Sequence, residues 1–324
     1  MQIIHYCCGS YEQGLYGGVA RYDYQIKLAF PNRRFFQGPH QKKQMLEYLE
    51  KCNQPIVITD NHLSMDIPNK YPLILVHHGC AKTTATRNPT WAEPWKSLCC
   101  NGQNKMLLYR DPKKTIIVSI SQSCTDDFTT YYGDKYTQFK RYDILHSSEL
   151  NENMYKKKYH ITPIILGNWG HIKKGQKEIQ QLIKKMTHVQ FKQLNVKIKN
   201  GDINRFNFEK QIIYCTSDMF LQLANSEGYS YAALDAILCG IPLISTRVGF
   251  CYNDIPNNCF IELDLKKIND VSYLTEKINY AWENKERLTK NAREWYMKNC
   301  RFCDWKIKMH TLVKDFYNEQ YLHT

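Results

Sequence analysis

The stretch 225–249, NSEGYSYAALDAILCGIPLISTRVG, constrains the fold of this chain more than any other. It reads as the end of a strand, a Ser-Glu-Gly turn, an apolar helix beginning near Tyr229 to Ala232, a Gly-Pro stop, and a second buried strand over 241–246. Glu227 lies in the turn and Asp235 eight residues further on, about two helical turns later. Both carboxylates can therefore border one crevice, into which the new helix offers its unpaired N–H groups. A helix N-terminus opening beside a strand end is an anion site, and phosphate is its usual occupant.

The rest of the chain supports the sheet that this unit needs. Its 324 residues are comfortable for two cores of about 150 residues each. Apolar runs at 1–8, 33–37, 55–59, 71–76, 115–120 and 142–146 read as strands. They alternate with helical stretches at 41–52, 88–108 and 123–132, which predicts a parallel sheet covered on both faces. A polar, lysine-rich segment at 151–163 marks the boundary. Beyond it the pattern predicts strands at 164–167, 190–197, 211–215 and 218–224, an edge strand at 259–263, and helices at 177–185, 271–284, 286–299 and 305–317. The expected organisation is a first domain over 1–150, a linker over 151–163 and a second domain over 164–304, with a last helix over 305–320 packing back on the first.

Composition narrows the class. A hydrophobic content of 43% and a charged content of 23% are those of a globular protein, and no run of eighteen apolar residues occurs. The first eight residues lack the features of a signal peptide, so the expected location is the cytoplasm, soluble or peripheral at a membrane. The thirteen cysteines are scattered, with Cys300 and Cys303 as the only C-x-x-C, which matches neither a disulfide framework nor a zinc site. The net charge of +13 is concentrated: between 151 and 200 stand eleven lysines against Glu152 and Glu178. Such a cluster suits a solvated helix face, nucleic acid, an anionic membrane surface or a nucleotide diphosphate. Nothing here has the pattern of a nucleic-acid-binding motif, and no nucleic-acid partner is expected.

Polar residues at strand ends are the remaining candidates, since open α/β sheets place ligands there. Asp60-Asn61-His62 follows one apolar run and His77-His78-Gly79 another. The Gly17-Gly18 pair opens a helix and serves either plain helix initiation or close approach to a ligand. Trp91 and Trp95, four apart, share one helical face as core or groove aromatics. Asp126-Asp127 sits in a helix start, where capping accounts for it, and no Asp-x-Asp follows an apolar strand.

Ser226, Glu227, Gly228, Cys239, Gly240, Pro242 and Gly249 match the donor-binding signature of the GT4 family of retaining glycosyltransferases, which the chain resembles. Asp235 stands where that family has glutamate. The resemblance extends to the Gly17-Gly18-Val-Ala-Arg loop, to His78-Gly79, to Lys174-Gly175 with Gly167, to Asn291-Ala-Arg-Glu294 and to Trp305. It covers the second half nearly continuously and the first half mainly at its strand ends. Asn168 stands where an arginine is common, and Lys173 could supply part of the missing charge.

The resemblance implies a GT-B fold, two Rossmann-like doubly wound domains facing a central cleft. It implies sugar transfer from a UDP- or GDP-sugar to a glycan, lipid or other hydroxyl, with retention, no metal and no further cofactor. Glu227 would border the donor sugar and His78 the transferred sugar, while Gly17 and Gly18 face donor and acceptor. Asn168, Lys174 and the backbone over Ser226, Gly228, Tyr229, Ser230 and Tyr231 would bind the nucleotide diphosphate. Asp235 would accept from the ribose. The departures at Asn168 and Asp235 motivate an alternative, a GT-B-like protein without catalysis that binds a glycan or a partner.

Overall fold

The computed structural model describes residues 1–156, 158–170, 174–198 and 201–322. The chain divides into two compact units, Met1–His146 with Cys303–Thr324, and Ser147–Phe302.

Six parallel strands form the first unit's sheet: β1 (Gln2–Cys7), β2 (Arg34–Gln37), β3 (Pro55–Asp60), β4 (Leu73–His77), β5 (Thr115–Ser119) and β6 (Lys140–Asp143), in the order β2-β1-β3-β4-β5-β6. Every residue of β3, β4 and β5 is buried, as continuous apolar runs require when helices cover both faces. The connections carry α1 (Gly18–Ala29), α2 (Lys42–Lys51), α3 (Ala81–Arg87), α4 (Trp95–Tyr109), α5 (Gln122–Tyr132) and α6 (Asp134–Thr137). Unlike a helix with one apolar face, α1 is buried at every position from Ala20 to Ile26, so its polar Asp23 lies inside the unit.

Five parallel strands form the second unit's sheet: β7 (Ile164–Gly167), β8 (Gln190–Gln193), β9 (Met219–Gln222), β10 (Leu243–Thr246) and β11 (Phe260–Leu263), in the order β11-β10-β9-β7-β8. Around it run α7 (Gln176–Lys185), α8 (Ile203–Cys215), α9 (Tyr231–Leu238), α10 (Val271–Glu283) and α11 (Lys285–Asn299). The strand order reverses between β7 and β9, and that switch point is where open sheets of this kind leave a crevice. The last helix, α12 (Phe302–Tyr321), belongs to the first unit from Cys303 on. There Trp305 lies edge-on to Tyr22 at 5.7 Å, His310 Nε2 meets Ala29 O at 2.8 Å, and the Tyr321 hydroxyl donates to Pro55 O at 2.9 Å.

Several sequence expectations give way. Residues 211–215 are the end of α8, not a strand; Asp202 caps that helix through Arg205 N at 2.9 Å, and its buried Phe206, Lys210 and Tyr214 recur at helical spacing. Trp91 and Trp95 do not share a helical face, because α4 begins only at Trp95, after Pro94. A proline disfavours helix in the residue before it, and Trp95 is 66% exposed, outside any core. The cap of α5 is Ser121, which accepts from Cys124 N, while Asp126 stands one turn inside and accepts from Gln122. The sixth strand lies at Lys140–Asp143, ahead of the predicted 142–146, and β8 ends at Gln193. No helix among the described residues is long and apolar enough to cross a membrane.

Candidate functional site

In the second unit the pocket forms at the switch point. The register pairs Ile165 with Met219 and Leu166 with Phe220, so Asn168 and Gln222 emerge level with each other at the ends of β7 and β9. Both line a small pocket together with Lys174, Glu227, Ser230 and Ala232. Across it Lys174 Nζ meets Glu227 Oε1 at 2.9 Å, with side-chain exposures of 27% and 17%. A half-exposed ion pair of this kind is weak, so either partner can exchange it for a ligand.

Local backbone demands explain why these residues converge. Gly175 starts α7 with φ 83°, and a Cβ there would come within 2.3 Å of Leu223 Cβ. Only glycine lets the Lys174 loop close on the end of β9. On the other wall Ser230 takes φ 80°, a left-handed conformation that costs a side chain-bearing residue on the order of 1 kcal/mol. Its hydroxyl donates to Gln222 Oε1, and Gln222 Nε2 donates to Ser245 Oγ at 2.9 Å. That chain holds the turn from which α9 starts, so the first turn of α9 opens beside the pocket. The following loop braces it: Phe250 N donates to Tyr229 O at 3.2 Å, and the Tyr229 and Phe250 rings pack at 5.1 Å. Tyr229 and Tyr231 are 3% and 8% exposed, so what this turn offers a ligand is chiefly backbone. Ser226 is buried beside them, and Gly228 is half-buried.

Asp235 is not brought to this pocket. It is 1% exposed on α9, where Ser148 Oγ donates to Oδ1 at 2.7 Å and Lys210 Nζ pairs with Oδ2 at 3.3 Å. With α9 starting only at Tyr231, the eight-residue spacing places it about one turn inside the helix, at a buried anchor within the same unit. Lys156 likewise leaves the lysine-rich surface: with 2% side-chain exposure it pairs with Asp218 Oδ1 at 3.0 Å. Burial works to raise the Asp218 pKa, but the backbone N–H groups of His160 and Ile164 and the Lys156 ammonium outweigh it and hold the carboxyl below its ordinary value. Lys173 lies outside the described residues.

In the first unit Gly17 and Gly18 are exposed at the start of α1, and a side chain at Gly17 would meet nothing within 4 Å. The two adjacent histidines separate cleanly. His77 ends β4 inward, stacked 4.1 Å from Phe128, and burial depresses its pKa to about 3. His78 follows the strand end; its Nε2 lies 2.8 Å from Asp60 Oδ1, and its ring meets Tyr22 edge-on at 5.0 Å. Sequence reasoning missed two contributors. Gln222 interrupts the apolar run MFLQLA, and a polar residue inside a buried strand was the available signal. Asp60 stood in a noted strand-end triplet, but nothing in the sequence connects it with His78 across 18 residues.

Two parallel-sheet α/β units of this kind, with a pocket at the switch point, are those of the GT-B fold. The chain is similar to the sucrose-phosphate synthase of Thermosynechococcus elongatus, at 12% identity over 98% of this chain and 99% of that one, with a TM-score of 0.74. It is also similar to HepE of Anabaena in complex with UDP and glucose, at 10% identity over 96% and 99%, TM-score 0.67. A glycosyltransferase from Rickettsia africae matches at 15% identity over 100% and 99%, TM-score 0.63. These structural neighbours are glycosyltransferases of GT-B type. No family model matches the chain, and no curated protein sequence does either.

Proposed function

We propose that this protein is a glycosyltransferase of GT4-like type that takes a sugar from a nucleotide diphosphate donor and transfers it, with retention and without a metal, to a hydroxyl of a glycan, a lipid or another acceptor. The observation that carries the reading is the Lys174–Glu227 pair facing the start of α9 at the second sheet's switch point. A UDP-sugar is the favoured donor, since the HepE structure of the same fold holds UDP and glucose; a GDP-sugar is the alternative.

Departure of a nucleoside diphosphate needs its developing charge met by fixed dipoles and cations. The start of α9 supplies the dipole and Lys174 the cation. On binding, the diphosphate draws the Lys174 ammonium away from Glu227. The released carboxylate then accepts from the donor sugar's hydroxyls, so the pair acts as a latch that opens only when a donor is present. Asn168 and Ser230 line the same pocket as neutral hydrogen-bonding groups. Asp235 anchors α9 and makes no donor contact, and His78 is the catalytic candidate of the first unit.

Incubation with a panel of UDP- and GDP-sugars, followed by NMR, tests this. Slow donor hydrolysis, lost in Glu227→Gln, is the expected result. Binding without turnover would support a non-catalytic glycan-binding protein, and neither binding nor hydrolysis of any donor would sink the enzyme reading.

A further inference from the structure

The pocket wall that faces Lys174 is built on an unfavourable backbone. Ser230 lines the pocket with φ 80° and ψ 75°, a left-handed conformation in which a Cβ is crowded. Gln54 and Asn61, the other described non-glycine residues with positive φ, do not line it. Such a conformation persists only where the surroundings hold it, and it is at binding sites that held strain gathers. The Ser230 carbonyl accepts the Leu234 N–H at 3.2 Å, as the first turn of α9 requires. The side chain is the other handle on this residue.

Gln222 takes that handle. It is 8% exposed in β9 behind the apolar Met219, Phe220 and Leu221, and the register pairs it with Ser245 of β10. Donor count fixes the direction of each hydrogen bond around it. Ser245 Oγ has one hydrogen and donates it to Thr246 O at 2.7 Å, so toward Gln222 Nε2, at 2.9 Å, its oxygen accepts. The amide is thereby turned with Oε1 toward Ser230, and an amide oxygen only accepts. The Ser230 hydroxyl donates to it. With the amide reversed, Oε1 would face a Ser245 oxygen that has no hydrogen left to give. An apolar side chain would fill this place in a buried strand without needing partners. The glutamine is accounted for by what it holds.

We infer that Gln222 is the positioning residue of the donor pocket: it clamps Ser230 in the left-handed conformation and so sets the turn from Glu227 to Ser230 against Lys174 before a nucleotide arrives. This rests on the donor reading of the pocket given above. The Ser230 hydroxyl hydrogen is committed to Gln222, so what Ser230 offers an ionised phosphate, which only accepts, is its main chain. A turn ordered in advance lowers the cost of binding, and the effect of Gln222 therefore appears in nucleotide affinity.

Calorimetric titration of UDP into four full-length proteins tests this: wild type, Gln222→Met, Ser230→Gly and the double variant. Methionine approximates the volume of glutamine without its hydrogen bonds, and glycine adopts positive φ without being held. Gln222→Met should weaken UDP binding about five- to tenfold in the wild-type background, the worth of one neutral hydrogen bond, and less than about twofold in the Ser230→Gly background. An equal loss in both backgrounds would mean that Gln222 acts on the nucleotide directly. A lowered melting temperature with unchanged UDP affinity would leave it a residue of the fold alone. Either result overturns the proposal. If Gln222→Met does not fold, Ser230→Ala breaks the same bond from its other end and should weaken UDP binding by the same factor; unchanged affinity there counts against the clamp. Nucleotide-free crystals of wild type and Gln222→Met separate the clamp from the transferase reading. Ser230 should keep its positive φ in the first and leave it, or divide between two conformations, in the second. A single φ near 80° in both would refute the clamp. A wild type that binds neither UDP nor GDP, with crystals as expected, would leave the clamp standing and overturn the donor reading.

Discussion

Replacing His77 with leucine isolates the titration of one buried histidine. His77 is fully buried at the end of β4, and neither ring nitrogen has a hydrogen-bond partner among the described residues. Burial, and secondarily the adjacent His78, lower its pKa from 6.5 to about 3. A base with a depressed folded pKa contributes stability that is fully present above its unfolded pKa and is lost as pH falls toward the folded value. The window here runs from 6.5 down to about 3. At pH 5 the unfolded chain is favoured by ~2 kcal/mol through protonation of this one imidazole, from about 1.5 pH units at roughly 1.4 kcal/mol each. At pH 4 the figure is ~3 kcal/mol by the same arithmetic. The raised pKa of Asp23 works in the opposite direction, since the folded state binds its proton more tightly, but it is common to both proteins and cancels in their difference. Urea unfolding of wild type and His77→Leu at pH 7, 6 and 5, followed on the first unit's transition, measures the gap. At pH 7 the variant should be neutral or more stable, because it removes two unpaired buried nitrogens. The gap should then move by ~2 kcal/mol in leucine's favour by pH 5. A gap that stays constant over this range would refute the reasoning.

Two further substitutions probe the second unit. Gly249→Ala should destabilise it by about 2–4 kcal/mol in urea unfolding, since Gly249 has φ 56° and a Cβ would come within 2.3 Å of Tyr229 O, displacing the turn before α9. Asp235→Glu should cost about 1–3 kcal/mol by forcing a methylene into the buried site shared with Ser148 and Lys210, while leaving UDP affinity within about twofold for protein that remains folded; a large selective loss of UDP affinity at unchanged stability would return Asp235 to the nucleotide.

The inner strands of both sheets could be read from the sequence because they are mostly apolar runs, whereas the edge strands β6, Lys-Arg-Tyr-Asp, and β8, Gln-Phe-Lys-Gln, are polar and their bounds were not legible. Residues 211–215 misled because five residues cannot separate a strand from the last turn of a helix, and the Asp202 cap that decides it lies outside that window. The motif around Glu227 was legible as a turn and a helix start, and Lys174 was found, yet their 2.9 Å pairing is a fact of tertiary closure. Asp235 shows the limit most plainly. Its spacing permits either a crevice or a core, and Ser148 and Lys210, 87 and 25 residues away along the chain, decide for the core. The buried contacts of Arg33 with His5, His5 with Asp23, and Asp60 with His78 join separate strands, a helix and loops, and no local pattern announces them.

Calorimetric titration of UDP and GDP into wild type and Lys174→Ala addresses the central claim most directly. A charge-assisted phosphate contact is worth about 1.5–3 kcal/mol, so removing Lys174 should weaken binding of the preferred nucleotide by roughly 10- to 150-fold, while the alanine variant melts at the wild-type temperature. Equal affinity in the two proteins, or no binding of either nucleotide at millimolar concentration, would contradict a donor site at the Lys174–Glu227 pocket.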